Sequence, residues 1–156
     1  MRVFLLLFLF PSFLYCQKLD SSNFLILEGE SPNYYYVLTE DGYYISENSD
    51  NFTFKKYTKP LPKSLNIGLN TLLPVTHKSK SYLLYPGGGL LYLFSNGSIT
   101  RVDRSFPHRN QYGGYFFSYK DNLFLIGGYG YWQTKSILTK FNFNSGDWEI
   151  INTLGQ

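Results

Sequence analysis

The sequence has 156 residues, enough for one domain, and a formal net charge of +3 at pH 7. Its Lys and Arg residues are spread along the chain, which argues against the dense basic surface of a nucleic-acid-binding protein. Aromatic residues make up 20% of the chain, whereas alanine, the best helix former, is absent. This composition favours pleated, half-buried strands, and we predict an almost entirely β-structured protein.

The chain begins with a segment typical of a secretory signal. Arg2 supplies a positive charge, and an apolar run over residues 3–10 follows it. The run is too short to cross a bilayer, which takes about 20 residues. We therefore predict that residues 1–16 are a signal peptide and that residues 17–156 are exported to the cell surface or secreted, with no transmembrane segment after cleavage. Cleavage after Cys16 and lipidation of Cys16 are both open. Cleavage after Cys16 would leave a mature chain with no cysteine, so its stability would come from core burial and not from disulfides.

Residues 23–58 form the first predicted cluster of strands. Apolar runs at residues 24–27 and 34–39 read as strands, and Asp41-Gly42 then leads into a partner strand. Asp-Gly between apolar runs predicts a hairpin with a type I′ turn, which needs positive φ at both central residues.

Residues 59–76 interrupt this strand pattern. Pro60 and Pro62 lack the N–H group that a strand inside a sheet must donate. We predict a connector that lies against the core through its leucines, with a short helix as the alternative.

Two further clusters follow, over residues 77–105 and 109–151. The first contains a glycine run at residues 87–89 and then Asn96-Gly97, a second type I′ hairpin signal. Each cluster is a meander of short strands, and a single meander cannot bury both of its faces. Stacking of successive meanders solves this, so we expect about three four-stranded antiparallel units packed in series.

The third cluster resembles a kelch repeat. A strand at residues 123–126 ends in Gly127-Gly128, and Phe141 and Trp148 follow at the family's spacing. The resemblance implies a β-propeller. In such a blade a glycine pair lets a strand end near the propeller axis, where a Cβ atom would collide with the next blade. The resemblance also implies that the two aromatic residues are buried between adjacent blades. The second cluster keeps only part of the pattern, because it has the glycines but no Trp.

Propellers typically have four to eight blades, whereas this chain has room for about three. We therefore expect an incomplete ring. Its open blade edges would be covered either by further sequence or by self-association.

The sequence offers little catalytic chemistry. Neither His77 nor His108 has a second ligand-type residue at metal-binding spacing, so we predict no metal site and no cofactor. Kelch-type propellers include copper radical oxidases, whose mechanism needs a cross-linked Cys that the mature chain would lack. Sialidase-type propellers need an arginine cluster drawn from separate blades. We expect no catalysis within this chain. The alternative is the N-terminal part of an oxidase- or sialidase-like enzyme whose catalytic residues lie beyond Gln156.

Three aromatic residues, Tyr129, Tyr131 and Trp132, follow the glycine pair in a segment that we predict to be a loop. Rings at this place could line a binding face, stacking on a sugar or contacting a protein. For Trp132 we favour burial between adjacent blades, because large aromatic side chains are usually mostly buried. The sequence thus predicts an exported, non-catalytic kelch-like module that binds an unidentified protein or carbohydrate and no nucleic acid.

Overall fold

The computed structural model describes residues 23–29, 34–46, 54–57, 67–104 and 111–152. The predicted signal peptide and His108 lie outside these ranges. Within them the protein is all-β, as predicted, with fourteen strands and a single 3-10 turn. No helix in the described ranges is long and apolar enough to cross a lipid bilayer.

The first sheet is an antiparallel meander whose strands are hydrogen-bonded in chain order. Its strands are β1 (Phe24–Glu28), β2 (Tyr35–Thr39), β3 (Gly42–Ser46) and β4 (Phe54–Tyr57). The predicted hairpin between β2 and β3 is confirmed, but the predicted turn type is wrong. Thr39 pairs with Gly42, so the two loop residues are Glu40 and Asp41, and neither has a positive φ. Gly42 already belongs to the strand, which places the loop one residue earlier than the Asp-Gly signal indicated.

The second sheet has the same topology. Its strands are β5 (Leu73–His77), β6 (Lys80–Tyr85), β7 (Leu90–Ser95) and β8 (Ser98–Arg101). β5 begins inside the predicted connector, whose C-terminal boundary is therefore wrong. Pro74 does not prevent this strand, because β5 lies at the edge of the sheet and need not donate a hydrogen bond on its outer side. Upstream, Leu69 and Leu72 of the connector are buried at the 3-10 turn Leu69–Thr71, so this part lies against the core as predicted.

The hairpin predicted at Asn96-Gly97 is confirmed with its turn type. The φ angles of Asn96 and Gly97 are 50° and 71°, as a type I′ turn requires. The β5–β6 hairpin also has two loop residues with positive φ, Lys78 at 50° and Ser79 at 57°. Neither is a typical turn residue at these angles, so the sequence carried no signal for this turn.

The third sheet is ordered β9, β10, β13, β14. These strands are β9 (Tyr115–Tyr119), β10 (Asn122–Ile126), β13 (Leu138–Asn142) and β14 (Asp147–Ile151). A separate two-stranded hairpin, β11 (Tyr129–Gly130) and β12 (Gln133–Thr134), is inserted between β10 and β13. Where the sequence predicted a loop, the chain therefore forms a small hairpin.

The second sheet lies between the other two, because its two faces contribute to different cores. Side chains alternate across a strand, and the neighbours Leu83 and Leu84 of β6, both 0% exposed, point to opposite faces. Leu83 belongs to a core shared with the first sheet, and Leu84 to a core shared with the third. The first core is formed by Leu27, Tyr36, Leu38, Tyr43, Ile45, Leu69, Leu72, Leu83, Tyr92 and Phe94. The second core is formed by Tyr82, Leu84, Leu91, Phe116, Leu123, Leu125, Phe141 and Trp148.

The first strands of the three sheets lie beside one another. β1 contacts β5, and β5 contacts β9. Side chains link these neighbours, since the Ser81 hydroxyl donates a hydrogen bond to the Glu28 carbonyl oxygen and His77 Nδ1 lies 2.8 Å from Ser118 Oγ. The three meanders are thus stacked with their first strands on a common side.

The residues that resemble a kelch motif occupy the second core and the end of β10. Phe141 and Trp148 are buried, with ring centroids 5.2 Å apart, and the Trp148 Nε1–H donates to the Gly89 carbonyl oxygen at 2.8 Å. Gly128 has a φ of 103°, and a Cβ atom there would lie 2.7 Å from the Gln111 carbonyl carbon. The expected reason for the glycine pair is therefore corrected. The space is taken by the chain segment leading into β9 of the same sheet, not by a neighbouring sheet.

Candidate functional site

The tip of the small hairpin carries two aromatic residues on an unusual backbone. Tyr131 and Trp132 join β11 to β12, and their φ angles are 53° and 65°. A two-residue loop with both φ values positive normally holds Asn, Asp or Gly. For bulky L-residues this conformation costs roughly 1–2 kcal/mol each. Backbone strain of this kind is concentrated at functional sites, so the tip of the hairpin is a candidate binding surface.

The base of the hairpin is held by backbone hydrogen bonds. The Tyr112 N–H donates to the Tyr129 oxygen at 2.9 Å, and the Tyr129 N–H donates to the Tyr112 oxygen at 2.7 Å. On the other strand, the Lys135 N–H donates to the Gly128 oxygen at 2.8 Å. These bonds fix the direction in which the tip projects.

Gln111, 2% exposed, supports the hairpin from below. Its side-chain Nε2 donates to the Gly127 oxygen at 2.9 Å, and its backbone N–H donates to the Pro86 oxygen at 3.0 Å. The Thr139 hydroxyl lies 3.4 Å from the Gln111 amide oxygen. Gln111 therefore connects the end of β10, the second sheet and β13. Nothing in its sequence context pointed to this role.

The aromatic rings around the tip form an open cleft of about 260 Å³, which we call the aromatic cleft. It is lined by Tyr112, Tyr129, Gly130, Tyr131 and Trp132. Trp132 is 91% exposed, so the predicted burial of this side chain between adjacent units is wrong. The cause is local, because the two-residue turn places the indole at the end of a hairpin that projects from the sheet. Tyr129, Tyr131 and Trp132 were predicted from the sequence as binding-face residues, whereas Tyr112 was not.

Polar groups surround the rings. The Tyr112 hydroxyl lies 3.1 Å from the Tyr85 hydroxyl, and this hydrogen bond, followed by burial, raises the pKa of Tyr85. The Lys135 ammonium group lies 5.2 Å from the centroid of the Tyr131 ring, within cation–π range. The aromatic cleft therefore combines flat apolar surface with hydroxyl groups and one cation. Such a surface suits stacking and hydrogen bonding with a ligand.

Comparison with known proteins adds no assignment. No family model matches. No curated protein matches the chain either.

His77 is a buried core histidine. It is 3% exposed, stacks on Phe143 at 5.6 Å between ring centroids, and shares a hydrogen bond with Ser118. Among the residues that the structure describes, no group of three or more His, Cys, Asp or Glu side chains is placed to hold a metal ion.

Burial of His77, assisted by the charge of Lys78, lowers the pKa of the imidazole below its ordinary value of 6.5, against a smaller opposing effect from Asp121. The unfolded chain therefore takes up this proton at a higher pH than the folded chain. We expect the free energy of unfolding to fall as the pH drops below about 6.5, down to the folded pKa. In His77→Gln this fall should be smaller. Urea unfolding at a series of pH values tests it, and His108 is present in both proteins, so the difference reports His77. Identical pH profiles would contradict the prediction.

Proposed function

We propose that this chain is an exported, kelch-like β-propeller module that binds a protein or a glycan through the aromatic cleft and catalyses no reaction. The observation that carries the binding proposal is the position of Trp132, a large aromatic side chain left 91% exposed on a strained turn. Exposure of the apolar indole surface to water is unfavourable, and a bound ligand would remove that surface from water. Trp and Tyr are also the residues that most often dominate binding energy at protein interfaces.

The propeller part of the proposal is supported by the arrangement of the sheets. Three four-stranded antiparallel meanders stack face to face with their first strands side by side. In a propeller, successive blades place their innermost strands around an axis in this manner. The resemblance of residues 123–148 to a kelch repeat agrees with the burial of Phe141 and Trp148 between two of the sheets. Export rests on the signal-like residues 1–16, and self-association through open edges stays a prediction.

A glycan is the first ligand to test. Sugar rings present flat apolar C–H faces edged with hydroxyl groups, and the aromatic cleft offers rings together with the hydroxyls of its tyrosines. A protein ligand would use the same surface through apolar side chains. The enzyme alternative stays a prediction as well, since its catalytic residues would lie beyond Gln156.

We expect Trp132→Ala to weaken ligand binding by about 2 kcal/mol, or roughly 30-fold, as for a central aromatic contact. The free energy of unfolding should change by less than about 0.5 kcal/mol, because the side chain makes little contact with the rest of the protein. A glycan array identifies the ligand, and titration of the purified chain measures the affinity. In a Trp148→Phe background, Trp132 is the only tryptophan and its fluorescence reports binding directly.

Tyr119→Ala is the matched control, since this exposed tyrosine lies on β9 outside the aromatic cleft. It should bind like the wild type. Equal loss of binding in both variants, or none in Trp132→Ala, would remove the aromatic cleft as the binding site. If no glycan binds but a protein from the cell surface does, and Trp132→Ala abolishes that binding, the ligand is a protein.

A further inference from the structure

A second pocket, of about 220 Å³, lies where the β5–β6 turn meets the third sheet. It is lined by His77, Lys78, Lys80, Tyr82 and Phe143. The Lys78 ammonium lies 3.2 Å from an oxygen of Asp121, which immediately precedes β10. The aromatic cleft lies beyond the C-terminal end of β10, and the five residues of this extended strand span about 17 Å. The two pockets are therefore separate.

Two polar side chains in the lining of this pocket are more than nine-tenths buried. His77 is 3% exposed and Tyr82 is 7% exposed. The Nδ1 atom of His77 is occupied by Ser118, but its Nε2 atom has no hydrogen-bond partner among the described residues. The Tyr82 hydroxyl likewise has no hydrogen-bond partner among the described residues. Buried polar groups are nearly always hydrogen-bonded, so both atoms are expected to bond to water or to a ligand in the pocket.

These two groups are both available as donors. Burial raises the pKa of Tyr82, so its hydroxyl keeps its proton at neutral pH. Burial and the charge of Lys78 keep His77 neutral, as described above. In the tautomer whose Nδ1 accepts the hydroxyl hydrogen of Ser118, the neutral imidazole carries its own hydrogen at Nε2 and can donate it into the pocket. The inner wall of the pocket can therefore donate two hydrogen bonds.

The charge at the mouth of the pocket is positive. Lys78 and Lys80 are both exposed, and Asp121 neutralises only one of them. The ring of Phe143, 46% exposed, stacks on His77 and forms an apolar wall. Cations at the rim with neutral donors inside match a ligand that has a negative charge and several acceptor oxygens.

We propose that this pocket binds a small oxyanion group, namely a carboxylate, sulfate or phosphate. Lys78 and Lys80 attract the charge, and Tyr82 and His77 donate hydrogen bonds to its oxygens. The site does not depend on the proposed function, because it shares no residue with the aromatic cleft.

The test is a titration of the isotopically labelled full chain with sodium acetate, sulfate and phosphate in turn, followed by NMR at constant ionic strength. We expect saturable shifts of the His77 ring and of the Lys78 and Lys80 amides with at least one of these anions. Glucuronate and glucose are then compared, to separate a free ion from a group carried on a sugar. Shifts with glucuronate alone assign the sugar-borne carboxylate, whereas equal shifts with glucose would overturn the proposal.

Two variants test the roles of the residues. Lys78→Gln/Lys80→Gln should weaken binding at least about tenfold, while Lys55→Gln/Lys56→Gln, which loses the same charge on β4 of the first sheet, should bind like the wild type. Tyr82→Phe should weaken binding about tenfold with unchanged or higher stability, because it removes an unpaired buried hydroxyl. No saturable shift with any anion, or equal binding by the two lysine double variants, would overturn the proposal. So would unaltered binding in Tyr82→Phe.

Discussion

Replacing Trp148 with alanine is expected to lower the free energy of unfolding by about 3–5 kcal/mol, the range found when large buried aromatic residues are truncated. The indole is 3% exposed and lies in the core between the second and third sheets, in contact with the rings of Phe116 and Phe141. Its loss would leave a cavity between the sheets and the Gly89 carbonyl oxygen without its 2.8 Å donor. Since small domains are stable by only about 5–15 kcal/mol, this is a large share of the total.

Trp148→Phe separates the contribution of apolar packing from that of the hydrogen bond to the Gly89 carbonyl oxygen. Phenylalanine keeps most of the apolar surface but cannot donate to Gly89, so a smaller loss of about 1–2 kcal/mol is expected. Urea unfolding of both variants, followed by circular dichroism, gives the comparison. If the alanine variant is no less stable than the phenylalanine variant, the indole does not hold the two sheets together as the structure indicates.

Gly128→Ala is expected to lower the free energy of unfolding by about 3 kcal/mol or more. The φ of 103° disfavours any L-residue by roughly 1–2 kcal/mol, and the added methyl group would lie 2.7 Å from backbone atoms of Gln111. A backbone neighbour cannot move aside as a side chain can, so overpacking adds about 1–3 kcal/mol. The same displacement would disturb the hydrogen bond from Gln111 to Gly127 beneath the hairpin.

Gly113→Ala provides the control for the backbone effect alone. Gly113 also has a positive φ, 68°, but no heavy atom lies within 4 Å of the position of an added Cβ. Its alanine variant should therefore lose only about 1–2 kcal/mol. The comparison is made by thermal or urea unfolding of the two variants. Equal losses would mean that the contact with Gln111 does not constrain the position of Gly128.

Much of the fold followed from local patterns in the sequence. The three strand clusters correspond to the three four-stranded sheets, because alternating apolar residues and tight turns are local signals. Asn96-Gly97 fixed its turn, since both residues readily adopt positive φ. The end of the connector was predicted wrongly, because β5 contains Pro74, and a strand tolerates proline only where it lies at an edge. A single sequence does not show which strands are edges.

The candidate site was harder to predict. Tyr131 and Trp132 occupy a turn that normally needs Gly or Asn, so no local signal marked the hairpin that exposes them. Because tryptophan side chains are usually mostly buried, an interior position was predicted for Trp132. The projecting turn exposes this side chain instead. Gln111 and Tyr112 join the site through contacts with residues 15 or more positions away, which no local pattern reveals.

The central position of the second sheet has a consequence for cooperativity. In many repeat proteins each unit touches only its neighbours, so a terminal unit can unfold while the rest persists. Here Leu83 and Leu84, adjacent in β6, belong to separate cores on the two faces of one sheet. Opening that sheet would expose both cores at once. We therefore expect local unfolding to be confined to the outer sheets, and the amide hydrogens at the centre of the middle sheet to exchange only when all three sheets come apart.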